Sequence, residues 1–188
     1  TISNTSDDPR KYLEESSTVA ARTLAQLVQA ASDKQNEKEL DYLRALVAFS
    51  QADFKKALEI CDSSLKKSED EELRFLIGQI RLFTEEPKNA IAPLEAAIGI
   101  RRNFYQAYAV LAIAQLCDAY RSGSADTLAA AEKSASRAIE INPLFSPSYT
   151  AKAFVSLGNF RLKDAEEDLT RAIEVDKKAA DSYLFRGY

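Results

Sequence analysis

The tetrapeptide Arg-Ala-Ile-Glu stands at 137–140 and again at 171–174, a spacing of 34 residues. Other positions keep the interval: Ala131 with Ala165, and Tyr149 with Tyr183. Towards the N-terminus Ala57 and Ala90 continue the series at 33, and the step from Ala90 to Ala131 is 41. A period of 20–50 residues marks a stack of small structural units. Each unit of such a stack touches its neighbours and leaves an extended surface for function. The period therefore constrains the architecture more than any single residue does.

The units read as helical. Apolar residues recur at i, i+3, i+4 and i+7 in pairs of segments, such as Leu40, Leu43, Val47 followed by Phe54, Leu58, Cys61, Leu65. The same holds for Leu73, Leu76, Ile77, Ile80, then Ala90, Ile91, Leu94, Ile98, and for the two pairs after them. No segment keeps a period-2 alternation, so an all-α chain without a sheet is expected. Turn-rich breaks fall at Gln51-Ala52-Asp53, Thr84 to Pro87, Ser122-Gly123-Ser124 and Gly158-Asn159. Asn142-Pro143 ends a unit, because the residue before Pro avoids the helical region. Asp8-Pro9 opens a longer helix to about residue 31, read as a cap on the stack. Small residues at Ala131, Ala138, Ala165 and Ala172 let two helices approach to about 8 Å. Pro93, inside a helical pattern, removes one backbone hydrogen bond.

Composition excludes several functions. The formal charge is −4 and the pI about 5.1, whereas nucleic acid rewards a basic face. No apolar run reaches the roughly 18 residues of a membrane span. The absence of His removes the commonest general base and metal ligand, and no phosphate-cradling Gly loop occurs. No cofactor or metal is implied. The carboxylates Glu69-Asp70-Glu71-Glu72 and Asp164, Glu166, Glu167, Asp168 sit at helix starts, where the dipole favours negative charge. They read as solvated charge, not as sites, and no enzymatic activity is expected. Cys61 and Cys117 read as small buried thiols, which leave the redox compartment undetermined, with a cytoplasmic chain slightly favoured over a periplasmic one. Both ends read as cut, as in a segment of a longer protein or a mature chain with its front removed.

The pattern resembles the tetratricopeptide repeat (TPR). Tyr108, Leu111 and Ala112 match its first-helix part, as do Ile77 with Gly78 and Tyr183, Arg186 with Gly187. The second-helix matches are Ala57, Ala90 with Ala97, Ala131 with Ala138, and Ala165 with Ala172. Ser64 replaces one Ala, and the closing Pro survives only as Pro143. Phe160 and Leu162 fit the turn pattern only with a two-residue slip. The resemblance implies a right-handed α-solenoid of stacked antiparallel helix hairpins. Residues 1–36 would be a polar N-terminus and capping helix. Repeats would occupy about 37–69, 70–103, 104–145 and 146–178, with a further truncated helix at 179–188. The seven extra residues of the 41-residue step are close to two helical turns. They fit one added turn on each arm, giving a projecting knob for a partner, or a tolerated loop at Ser122-Gly123-Ser124 without a role, and the loop is the favoured reading.

In this family the first helices line a concave groove that binds partners. Helical phase assigns to that face Tyr42, Leu46 and Phe49 in the first unit, and Phe75, Gln79 and Leu82 in the second. Gln106, Ala109 and Ile113 follow in the third unit, and Thr150 and Phe154 in the fourth. The phase points all of them away from the hairpin core. The stripe lacks the Lys, Arg and Asn that clamp a C-terminal carboxylate. It suits an apolar or amphipathic segment of a protein or peptide partner, coverage by the 8–32 helix, or burial in a homo-oligomer. The expectation is a non-catalytic interaction scaffold. The alternatives are a regulatory or sensory domain of a larger enzyme of kinase or cyclase type, or an assembly module of a bacterial envelope or secretion complex.

Overall fold

A computed structural model describes residues 37–84 and 87–177. The segments expected as a capping helix and as a further helix at 179–188 lie outside the described residues. Among the described residues there are eight α-helices and no strand. They fall in two units divided between Glu69 and Asp70.

The first unit contains one hairpin, α1 (Glu37–Ser50) and α2 (Phe54–Leu65). Its turn places Ala52 in the left-handed region, φ 57°. Asp53 then caps α2, its carboxylate accepting from the Lys56 amide at 3.2 Å. Ala57, Cys61 and Ser64 are buried along α2.

The second unit holds three hairpins. These are α3 (Glu71–Thr84) with α4 (Lys88–Ile100), α5 (Tyr105–Ser122) with α6 (Ala125–Ile141), and α7 (Ser146–Gly158) with α8 (Leu162–Val175). Each helix packs on its hairpin partner, and α5 also packs on α4, α7 and, more lightly, α3. Sequence explains the ends. Asp70 caps α3 through the Leu73 amide at 2.9 Å. Gly123, φ 69°, closes α5, and Ser124 caps α6 through the Thr127 amide at 3.1 Å. Helices α5 and α6 have 18 and 17 residues, against 13 or 14 for the other four of this unit. The additional residues therefore lengthen both arms by about one turn each.

The repeated small positions are the interior. Ala90, Ala97, Ala131, Ala138 and Ala172 are fully buried, and Ala165 is 1% exposed. Gly78 brings α3 against α4 closely enough that an added Cβ would lie 2.5 Å from Leu94 Cγ. Pro93 lies inside α4 and is buried. Its missing amide would have bonded the Asn89 carbonyl four residues back. That carbonyl instead accepts a long bond, 3.5 Å, from Arg81 of α3.

The turn at 159–161 resolves the two-residue slip. Phe160 takes the left-handed position, φ 59°, as Ala52 does in the first hairpin. Arg161 stands at the helix cap and Leu162 begins α8. Leu162 is thus three residues before Ala165, as Phe54 is before Ala57.

Two acidic residues differ from the expected solvated charge. Asp70 is buried as a helix cap. Asp168 is buried against Lys152 of α7, at 3.3 Å, and its second oxygen finds no hydrogen-bond partner. Burial holds the Asp168 carboxyl above its ordinary value, and the nearby Lys152 charge offsets this only partly. Glu71 and Glu72 are paired rather than free. Both meet Arg101, whose guanidinium stacks 3.9 Å from the Phe104 ring centroid.

Three expectations follow. Gly78→Ala should lower stability by about 1–2 kcal/mol, because overpacking against the fixed Leu94 exceeds the gain in helix propensity. Gly99→Ala, where a Cβ meets nothing within 4 Å, should raise it by about 0.5 kcal/mol; urea denaturation compares the two. In a double-mutant cycle, Arg81→Leu should cost about 1 kcal/mol more in the parent than in the Pro93→Ala background, where the Asn89 carbonyl regains a backbone partner. For Asp168, a folded-state pKa above the unfolded value of about 3.9 favours the native state at low pH. That contribution is complete below the unfolded value and fades as pH rises through the folded one. The parent should therefore gain stability relative to Asp168→Asn as pH is lowered from 7 towards 4. The opposite slope would show that pairing with Lys152 outweighs desolvation.

Candidate partner-binding face

The residues assigned to the partner face sit on the first helix of each hairpin. In the first unit Tyr42, Leu46 and Phe49 are all half-buried on α1. The Phe49 ring leans on Phe54 of α2, centroids 5.8 Å apart.

In the second unit α5 lies between α3 and α7 and packs on both. That layer brings the second, third and fourth stripes onto adjacent helices. Phe75, Gln79 and Leu82 on α3 are half-buried, as are Gln106 and Ile113 on α5 and Thr150 and Phe154 on α7. Ala109 is 4% exposed and offers almost no surface, contrary to its assignment.

Phe75, Leu82 and Ile113 pack towards the hairpin core rather than away from it as the helical phase implied, and Phe154 packs on the preceding hairpin. Phe75 and Leu82 pack against the cluster of Ala90, Leu94, Leu111 and Ala114, which spans α4 and α5. Phe75 also meets Phe104, ring centroids 4.9 Å apart. Ile113 packs against Ala112, Ala135 and Ala151, and Phe154 against Leu116, Ala131 and Val155. The reason is geometric. A helix inside a stack is covered by its hairpin partner and by the adjacent hairpins, so its apolar residues serve two interfaces. Only the outer edges of these side chains remain open. The uncharged residues Gln79, Gln106 and Thr150 fill the positions between them.

A cleft on the other side of α5 was not anticipated. Helices α4 and α6 both pack on α5 with at most marginal contact between them. They leave a cleft of about 520 Å³. From α5 it is lined by Tyr108, Leu111 and Gln115. At 3.6 residues per turn these lie roughly opposite the Gln106, Ala109, Ile113 stripe. Glu95 and Ile98 of α4 form one wall, and Lys133, Ser134 and Arg137 belong to the α6 wall. Gln115, the polar interruption between the apolar runs Ala107–Ala114 and Leu116–Cys117, was the available sequence signal. It is buried and accepts a hydrogen bond from Ser134 at 2.8 Å.

Among the described residues no group of His, Cys, Asp or Glu is placed to hold a metal ion. No helix among them is long and apolar enough to cross a membrane. Neither cysteine is in a disulfide; Cys61 is buried, while Cys117 is only half-buried and burial raises its thiol pKa.

No protein-family model matches the chain, and no curated protein matches it by sequence. Solved structures do. MamA of Desulfovibrio magneticus RS-1, residues 41 to the end, is 20% identical with a TM-score of 0.63, covering 92% of each chain. TTC0263, a thermophilic TPR protein of Thermus thermophilus, is 17% identical with a TM-score of 0.70, covering 80% of this chain and 83% of that one. YrrB, described as a TPR protein with an unusual peptide-binding site, is 19% identical with a TM-score of 0.61, covering 91% of this chain and 85% of that one. Together with the eight described helices, these similarities show the fold to be an all-α helical repeat of the tetratricopeptide type.

Proposed function

We propose that the chain is a non-catalytic protein-interaction scaffold that binds an apolar or amphipathic segment of a protein or peptide partner. Its four hairpins, near 37–69, 70–103, 104–145 and 146–178, are the repeat units. The observation that carries this reading is the layer of first helices in the second unit. Helices α3, α5 and α7 pack side by side and offer the open edges of Phe75, Leu82, Ile113 and Phe154, with Gln79, Gln106 and Thr150 between them. Ala109 adds closeness rather than contact area. On α1, Tyr42, Leu46 and Phe49 extend the same composition. Such a surface buries apolar area on binding and uses amide and hydroxyl groups to fix a backbone. YrrB, a structure of similar fold, is described as having a peptide-binding site, which supports the class of partner.

The test is a peptide-display selection on the parent, with affinities then measured on a Gln79→Glu, Gln106→Glu variant. Both positions are half-buried and neither belongs to a core cluster, so the variant should keep its helical circular dichroism. Selected apolar peptides should bind the variant at least about five-fold more weakly, because each new carboxylate must be desolvated. Equal affinity for both proteins would remove the site from this face. A selection that enriches no peptide would overturn the scaffold reading.

A further inference from the structure

The cleft between α4 and α6 has the ingredients of a built site. Its volume of about 520 Å³ falls within the range of small-ligand pockets, about 300–1,000 Å³. Its base is apolar, from Ile98 and Leu111. At its depth lies Gln115, 7% exposed. The carbonyl oxygen of that side chain accepts from Ser134 Oγ, while the carboxamide nitrogen makes no hydrogen bond among the described residues. Nor is that nitrogen sealed from solvent. A nine-tenths buried amide is thus held by one oxygen and keeps two N–H donors for whatever occupies the cleft.

The rim is electrically divided. Arg137 and Glu140 on α6 neutralise each other at 2.9 Å. The hydrogen bond to Glu140, with a smaller contribution from Tyr108, holds the Arg137 guanidinium above its ordinary value. What remains is Glu95 on the α4 wall and Lys133 on the α6 wall. Both are exposed, and neither has an ion-pair or hydrogen-bond partner among the described residues. A single-sign ligand, such as a phosphate or a polyacidic tail, would meet one favourable wall and one unfavourable one. A segment with one charge of each sign meets two favourable walls.

We infer that this cleft is a second peptide site, on the side of α5 away from the first-helix stripe, for an extended partner segment with an apolar residue between a basic and an acidic one. The apolar side chain rests on Ile98 and Leu111. A backbone carbonyl of the segment accepts from Gln115 Nε2. The basic residue faces Glu95 and the acidic residue faces Lys133. The site does not depend on the α3, α5 and α7 face binding anything.

The experiment is a titration of the ¹⁵N-labelled 188-residue chain, followed by NMR. The probe is an acetylated and amidated pentapeptide with a central Leu flanked by Lys and Glu. The Gln115 side-chain amide signals are assigned by their loss in Gln115→Met. Saturable shifts of those signals and of the Ala130 to Arg137 backbone are expected. Replacing the central Leu by Ala should abolish them. Lys133→Glu, an exposed substitution that leaves the fold intact, should weaken this peptide about five-fold. A Lys-Leu-Lys version should then bind the variant better than it binds the parent. Shifts confined to Gln79 and Gln106 would overturn the cleft while leaving the first-helix face in place. No shift anywhere, or equal binding of both peptides to parent and variant, would also overturn it.

Discussion

Close approach of helices through small side chains is the constraint from which the rest follows. On each second helix, four and seven residues beyond the leading Ala, the next positions inward are also buried. They read Ala57, Cys61, Ser64; Ala90, Leu94, Ala97; Ala131, Ala135, Ala138; and Ala165, Leu169, Ala172. Cys61 and Ser64 are therefore interior residues of the same kind as the alanines they replace. Gly78 takes the argument further, since even one methyl would meet Leu94. Interfaces built this way gain stability from dispersion at short range over many atoms. They also fix the distance between helices, and this decides where surface is left over.

Both candidate faces include residues of α5. That helix has neighbours on both sides in the first-helix layer and lies against α4 and α6 as well. Where helices touch directly, as α5 and α7 do, apolar side chains are shared between hairpin and stack and only their edges stay open. Where they do not, as between α4 and α6, a cleft opens instead. The two faces differ in chemistry for that reason. One carries the uncharged residues Phe75, Gln79, Leu82, Gln106, Ile113, Thr150 and Phe154. The other is narrow, holds a buried amide, and carries opposite charges on its two walls.

Three polar groups of the stack are tied to a structural task. Asp70 caps a helix, Arg81 serves a carbonyl orphaned by Pro93, and Arg101 joins Glu71 and Glu72 to the ring of Phe104. Asp168 is the costly one. It pairs with Lys152 yet leaves an oxygen unsatisfied, so its burial works against its charge. This is why an acidic run that looked like one solvated patch contains a residue of different character.

The repeat of Ala57, Ala90, Ala131 and Ala165 was enough to determine hairpins, their order and the lack of strands among the described residues, because helix periodicity and the need for small facing residues are local properties of the chain. The breaks at Gln51-Ala52-Asp53 and Ser122-Gly123-Ser124 were legible for the same reason, whereas the caps formed by Asp53, Asp70 and Ser124 were not read in advance. The placement of Phe75, Leu82, Ile113 and Phe154 was only half legible. Helical phase names the direction a side chain points along its own helix, but which neighbour lies in that direction depends on how hairpins stack. The turn at Phe160 escaped because a bulky residue in the left-handed region runs against backbone preference, and only the packed position of Ala165 sets its register. The cleft was decided by tertiary structure alone. Glu95, Gln115 and Lys133 lie on three helices, and no spacing in the sequence relates them until α4 and α6 are held apart on α5.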